Sequence, residues 1–76
     1  MNKLRKILVV CKNAEDVQAS KQDYAELLHD ADYQFVDVNK VEKLNGEQAV
    51  FMSNQLLRTG LQREKELVVS LRNQIK

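Results

Sequence analysis

Proline is missing from this chain altogether, and glycine occurs only at positions 46 and 60. Both residues punctuate a backbone, proline by fixing φ and glycine by admitting positive φ. With so few of them, sharp turns are scarce and most of the chain is expected in regular elements. Cysteine is limited to Cys11 and histidine to His29. One thiol cannot close an internal disulfide, and one Cys with one His falls short of the four ligands of a structural zinc site. Tryptophan is absent, and the only aromatic residues are Tyr24, Tyr33, Phe35 and Phe51. The longest apolar run, Ile7 to Cys11, is far short of the ~20 residues of a membrane span. It is also too short for the apolar region of a secretory signal, and no small-residue cleavage site follows it. A single unpaired thiol fits a reducing compartment, so the expected location is the cytoplasm.

What is present bounds the protein further. Seventy-six residues make a single small domain, 1–76, which buries roughly 60–65% of its unfolded surface. Chains under about 80 residues usually need a disulfide, a metal or a partner subunit, and with the first two excluded a homo-oligomer is expected. The chain is 43% hydrophobic and 30% charged, too apolar for a disordered segment. Net charge is only +1, but it runs plus, minus, plus. Residues 1–12 carry four bases and no acid, residues 13–47 nine acids against three lysines, and residues 48–76 five bases against Glu64 and Glu66. A nucleic-acid binder concentrates more base on one face. The expectation is that basic ends meet an acidic middle, within the chain or across an interface.

Hydropathy patterning predicts a β-α-β-α order. Leu4 to Cys11 reads as a strand covered on both faces, because Ile7, Leu8, Val9 and Val10 form an unbroken apolar run. Asn13 reads as a helix N-cap with Asp16 at the matching third position, and Glu15 and Asp16 complement the helix dipole. That helix is expected to reach about Ala31 through Val17, Tyr24, Leu27 and Leu28. Tyr33 to Val38 reads as a second strand, with Tyr33, Phe35 and Asp37 on one face and Gln34, Val36 and Val38 on the other. Strand, helix and strand in about 35 residues is the length of a βαβ unit, so a parallel pair is expected. From a second candidate cap at Asn45, with Gln48 three residues on, a long amphipathic helix is expected. A line of Val50, Asn54, Leu57, Leu61, Glu64, Val68, Leu71 and Ile75 runs along it, interrupted by Gly60, where the helix either bends or stops. The fold class is thus α/β with a two-stranded sheet and a long C-terminal helix; an all-α bundle is the alternative.

Cys11 is the first candidate for chemistry. A thiol between a strand end and a helix N-terminus is where a thiolate is favoured. The string "ILVVC" followed by a helix resembles the sugar-phosphotransferase IIB proteins and thioredoxin-like proteins, which use a cysteine there. The chain departs from both where it matters. "KNAEDV" has no glycine, serine or threonine to wrap a phosphate, and Ala14 stands where a second cysteine would be. Cys11 therefore reads as a small buried hydrophobe. "HDAD", residues 29–32, holds one imidazole and two carboxylates that do not converge from helical spacing. No catalytic residue, metal ligand or cofactor site is assigned. The most informative feature is the apolar stripe, and Val50, Leu57, Leu61, Val68, Leu71 and Ile75 are the candidate partner-binding residues. The expected function is a small interaction or regulatory protein that self-associates and meets a protein partner through its C-terminal helix. A thiol-dependent or phosphoacceptor-like domain using Cys11 is the alternative. A nucleic-acid accessory role for Arg58, Arg63, Lys65 and Arg72 is the weaker one.

Overall fold

A computed structural model describes residues 5–27, 31–41, 43–44 and 46–75. Strand β1 spans Arg5–Cys11, helix α1 Ala14–Asp23, strand β2 Ala31–Asp37, strand β3 Ala49–Met52, helix α2 Asn54–Thr59 and helix α3 Gln62–Asn73; a 3₁₀ turn covers Ala25–Leu27. The fold is α/β, with a three-stranded parallel sheet in the order β2-β1-β3. The expected β1–β2 pair is present and parallel, with Arg5 opposite Ala31 and Cys11 opposite Asp37. The expectation of two strands was one short.

The third strand comes from residues read as helix. "AVFM" is too short for periodicity to separate strand from helix, and β1 needed a neighbour on its second edge. Pairing Ile7 with Ala49 through Val10 with Met52 supplies it. The helix then begins one residue after Ser53, whose Oγ accepts the Leu56 N–H at 3.0 Å. Asn45 lies outside the described residues, and Gln48 donates its backbone N–H to the Lys6 carbonyl instead of capping a helix.

Helices cover both faces. Ile7, Val9, Cys11 and Ala31 pack with Val17, Tyr24, Tyr33, Phe35 and Ala49 under α1. Tyr24 meets Tyr33 and Phe35 at ring-centroid distances of 5.0 and 5.5 Å. On the other face, Leu8, Val10, Val38 and Val50 pack with Leu56, Val68 and Leu71 from α2 and α3. Val41 and Leu44, in the connection from β2 to β3, join this second layer. From β1 the chain steps sideways to β2, then back past β1 to β3. Two crossovers of the same right-handed sense in opposite directions must lie on opposite faces, and the layers divide accordingly.

The helix after Asn13 is shorter than expected. Asn13 caps it as read, its Oδ1 accepting the Asp16 N–H at 2.8 Å. It ends at Asp23, because the chain must return about 23 Å to the start of β1 and its ten residues already span about 15 Å. Ala31, read as its last residue, opens β2.

The long C-terminal helix is two helices. At Gly60 the backbone is extended, φ −66° and ψ 146°, and its N–H donates to the Leu56 carbonyl at 2.8 Å. Glycine is required here for space rather than for positive φ. A Cβ at this position would lie 2.3 Å from the Leu56 carbonyl oxygen and 2.7 Å from its Cδ1. The backbone atom cannot step aside without opening the end of α2. Gly60→Ala is expected to lower stability by about 2 kcal/mol, a fall in Tm of roughly 8–16 °C for a domain of this size, measured by thermal and urea unfolding.

Candidate functional site

In open parallel sheets the crevice beyond the carboxyl ends of the strands, where the crossovers diverge, is the usual ligand position. Here that point lies between β1 and β3, bounded by Lys12 and Asn13 on one side and by Ser53 and Asn54 on the other. Helix α1 leaves toward one face and α2 toward the other, so the two loops spread apart above Val10 and Met52.

The floor of the crevice is taken by the chain's own polar side chains, and a groove of about 400 Å³ remains beside it between α1 and α2, lined by Asp16, Asp23, Asn54 and Arg58 among others. Asp16, on the first turn of α1, is only 4% exposed. Its Oδ2 accepts the Lys12 N–H at 2.7 Å and the Ser53 hydroxyl at 2.5 Å. Its Oδ1 accepts a weak bond from the Ser20 hydroxyl at 3.5 Å. Ser53 in turn caps α2 and donates its backbone N–H to the Val10 carbonyl at 2.9 Å. One carboxylate thus ties the β1–α1 loop to the β3–α2 loop, two segments 37 residues apart. A second tie lies beside it. Glu64 Oε1 accepts the Lys12 ammonium at 2.6 Å and the Leu61 N–H at 2.8 Å, so the first turn of α3 is anchored to the end of β1. Among the described residues, no buried side-chain polar atom lacks a hydrogen-bond partner.

Electrostatics follow this geometry. The Lys12 hydrogen bond, with help from the Leu61 N–H, holds the Glu64 carboxyl below its ordinary value of 4.5. Cys11 is fully buried, with Sγ 3.7 Å from the Val9 carbonyl. Burial is the largest influence on its thiol and pushes it above the ordinary 9.0. A hydrogen bond to Ser20 pulls the other way, and the Asp16 charge adds to the rise. That environment favours the neutral thiol, whereas a nucleophile needs the thiolate.

The candidate partner-binding residues divide sharply. Val50, Val68 and Leu71 are 2%, 0% and 1% exposed and belong to this chain's own core. Ile75 is half-buried against the same cluster. Only Leu57 and Leu61 stand in the open, at 55% and 49%. The stripe was legible, but most of it faces the sheet. The four basic residues of the weaker reading do not form one patch. Arg63 is turned roughly 160° around α3 from Lys65 and roughly 180° from Arg72 by the 100° step of a helix, and Arg72 is engaged with the Val50 carbonyl. His29 and Asp30 lie outside the described residues, and Asp32 sits in β2, accepting a bond from Gln34.

Sequence reasoning missed the Asp16–Ser53 and Lys12–Glu64 ties. From the sequence Asp16 reads as a cap partner that complements the helix dipole, and Glu64 as a polar member of the apolar line. One local signal was available: a serine directly before a helical run, as at Ser53, is an N-cap signature. The long-range partners have no sequence signature. No protein family, curated protein or solved structure matches this chain.

Glu64 ties stability to pH. The unfolded chain takes up this proton at higher pH than the folded chain. The stabilisation is therefore complete above about pH 4.5 and is lost as pH falls through the lower folded-state value. Glu64→Gln is expected to be less stable than wild type at pH 7, with the gap closing below pH 4.5, as read by urea unfolding at a series of pH values. For Cys11, alkylation in native buffer at pH 8 should be slower than in denaturant by about 100-fold or more, because the thiol reacts only when the domain opens; mass spectrometry of the modified chain reads the ratio.

Proposed function

We propose that the protein is a small interaction or regulatory module rather than a catalyst, acting through the corner between α2 and α3. One observation carries this reading. The large hydrophobic side chains left exposed among the described residues are Phe51, Leu57, Leu61 and Val69, all from one stretch of 19 residues. Leu57 and Leu61 flank the Gly60 break, so they project from the corner between two helices. Of the four exposed residues, Leu57 and Leu61 share that corner, and exposed apolar residues grouped on one surface mark recognition sites, whereas scattered ones carry no such meaning. At the switch point, by contrast, the buried polar groups are satisfied by internal bonds, and Cys11 lies beneath them in surroundings that favour the neutral thiol. That arrangement favours an interaction role over thiol or phosphoacceptor chemistry.

Among the described residues no helix is long and apolar enough to cross a membrane. The proposed setting is the cytoplasm, where a lone thiol stays reduced.

Replacing both leucines by aspartate tests the reading. Both are on the surface, so folding stability should change by no more than about 0.5 kcal/mol per site. A partner held through this corner should be lost by roughly tenfold or more in affinity, as measured by quantitative capture with wild-type and doubly substituted chains side by side. Identical capture by the two chains would remove this corner from the proposed function.

A further inference from the structure

The groove between α1 and α2 starts where the Asp16–Ser53 bond joins the first turn of α1 to the cap of α2. From there it is lined as far as Asp23, the last residue of α1, and Arg58, in the last turn of α2. Its volume of about 400 Å³ falls within the roughly 300–1,000 Å³ of small-molecule sites. Its place, beyond the carboxyl ends of β1 and β3, is the usual ligand position of a parallel sheet. Ala19 lies between Asp16 and Asp23 on the α1 wall, and its single methyl leaves the middle of the groove open.

The charges on the two walls are opposite and unmatched. Asp16 is only 4% exposed, yet every hydrogen bond it accepts comes from a neutral group: the backbone N–H of Lys12 and the hydroxyls of Ser53 and Ser20, besides the cap bond its own N–H donates to Asn13. A buried charge ordinarily has an ionic partner. Beyond the dipole of its own helix, Asp16 has none among the described residues, because the Lys12 ammonium is committed to Glu64. Its Oδ1 holds only the weak Ser20 bond at 3.5 Å, which leaves acceptor capacity unused. Asp23 and Arg58 are exposed, and among the described residues neither forms an ion pair. Asp23 follows Asp16 by seven residues, which on a helix is the same face and about 10.5 Å along the axis. One wall thus carries two carboxylates two turns apart, and the other carries a guanidinium.

We propose that this groove binds a basic α-amino acid, whose two cations and one carboxylate complement two carboxylates and one guanidinium. The side-chain ammonium reaches Asp16 and takes the unused acceptor of Oδ1. At the other end the α-ammonium meets Asp23, and the α-carboxylate meets Arg58, whose planar fork suits a carboxylate through two parallel N–H bonds. An extended four-carbon stem, with a hydrogen bond of about 2.9 Å at each end, covers the distance between carboxylates two turns apart. A diamine matches the α1 wall but sets like charge against Arg58. A single metal ion cannot be shared by carboxylates so far apart, since its ligands lie within about 2.6 Å. The site uses neither Leu57 nor Leu61, so its test is independent of the interaction role proposed above.

Titration of the isotope-labelled full chain with L-lysine, followed by proton–nitrogen correlation spectra, tests this, with circular dichroism confirming that each variant folds. The expected result is saturable binding in the millimolar range or tighter, with shifts centred on the amides of Asp16, Ala19, Asp23, Asn54 and Arg58. Cadaverine, the same arm without the carboxylate, and norleucine, the same chain without the side-chain cation, should each bind about tenfold more weakly, as expected for one lost bond between charged groups. Asp23→Asn should weaken lysine by a similar factor. Ala19→Leu, which puts a larger side chain into the groove from an exposed position, should abolish binding. Arg58→Gln should bring lysine down to the level of cadaverine and leave cadaverine no weaker. The absence of saturable shifts with lysine overturns the proposal, as does binding that Asp23→Asn and Ala19→Leu both leave unchanged. Cadaverine equal to lysine in wild type would make the groove a general cation site and overturn the amino-acid assignment. Norleucine equal to lysine would overturn the role given to Asp16.

Discussion

Everything in this domain depends on β1 being covered on all sides. Its residues Ile7 through Cys11 are buried on both faces, and its backbone is paired on both edges. A strand with apolar side chains on both faces has no side it can leave to water, and its N–H and C=O groups need partners once water is excluded. Two helical layers and two neighbouring strands are the consequence. The chain supplies them with one crossover through α1, one extended crossover beneath α3, and a third strand of only four residues. Without β3, half of the central ladder would be open beneath a hydrophobic layer.

So small a core needs its layers held in register, and the polar ties do this at the carboxyl ends of the strands. Asp16 links the loops after β1 and β3, and Lys12 with Glu64 links β1 to the start of α3. The Asp16–Ser53 bond is buried and the Lys12–Glu64 pair part-buried, so these bonds meet less competition from water than surface pairs do. The geometry also bears on function. At the position where larger doubly wound proteins hold a ligand, the buried polar groups here serve as cross-bracing, and large apolar side chains are exposed at the corner around Gly60. The edge of β3 beside it is partly covered, with the Arg72 guanidinium donating to the Val50 carbonyl.

Much of this was legible locally. β1 could be read from its unbroken apolar run, the Asn13 cap from its side chain and position, and the two faces of β2 from alternation at Tyr33, Phe35, Val36 and Val38. Gly60 was legible as an interruption, with a bend and a stop both open. What could not be read had a common cause. "AVFM" fits helix and strand equally until β1 is known to have a free edge. Ala31 continues a helical spacing yet opens a strand, because the chain had to be back beside Arg5. The stripe from Val50 to Ile75 spans a strand and two helices, so its even spacing was not the mark of one surface. Burial of Val68 and Leu71 beside exposure of Leu57 and Leu61 is decided by which way each short helix is rolled on the sheet.

The sequence by itself determined the first helix cap, which rests on contacts within a few residues, and its patterning favoured the α/β class and a parallel β1–β2 pair over the all-α alternative. Only the tertiary structure decided the third strand, the break into α2 and α3, and the engagement of Asp16 with Ser53 and of Lys12 with Glu64. Those depend on groups 37 and 52 residues apart meeting at the end of a central strand, and no local rule encodes a meeting across that distance.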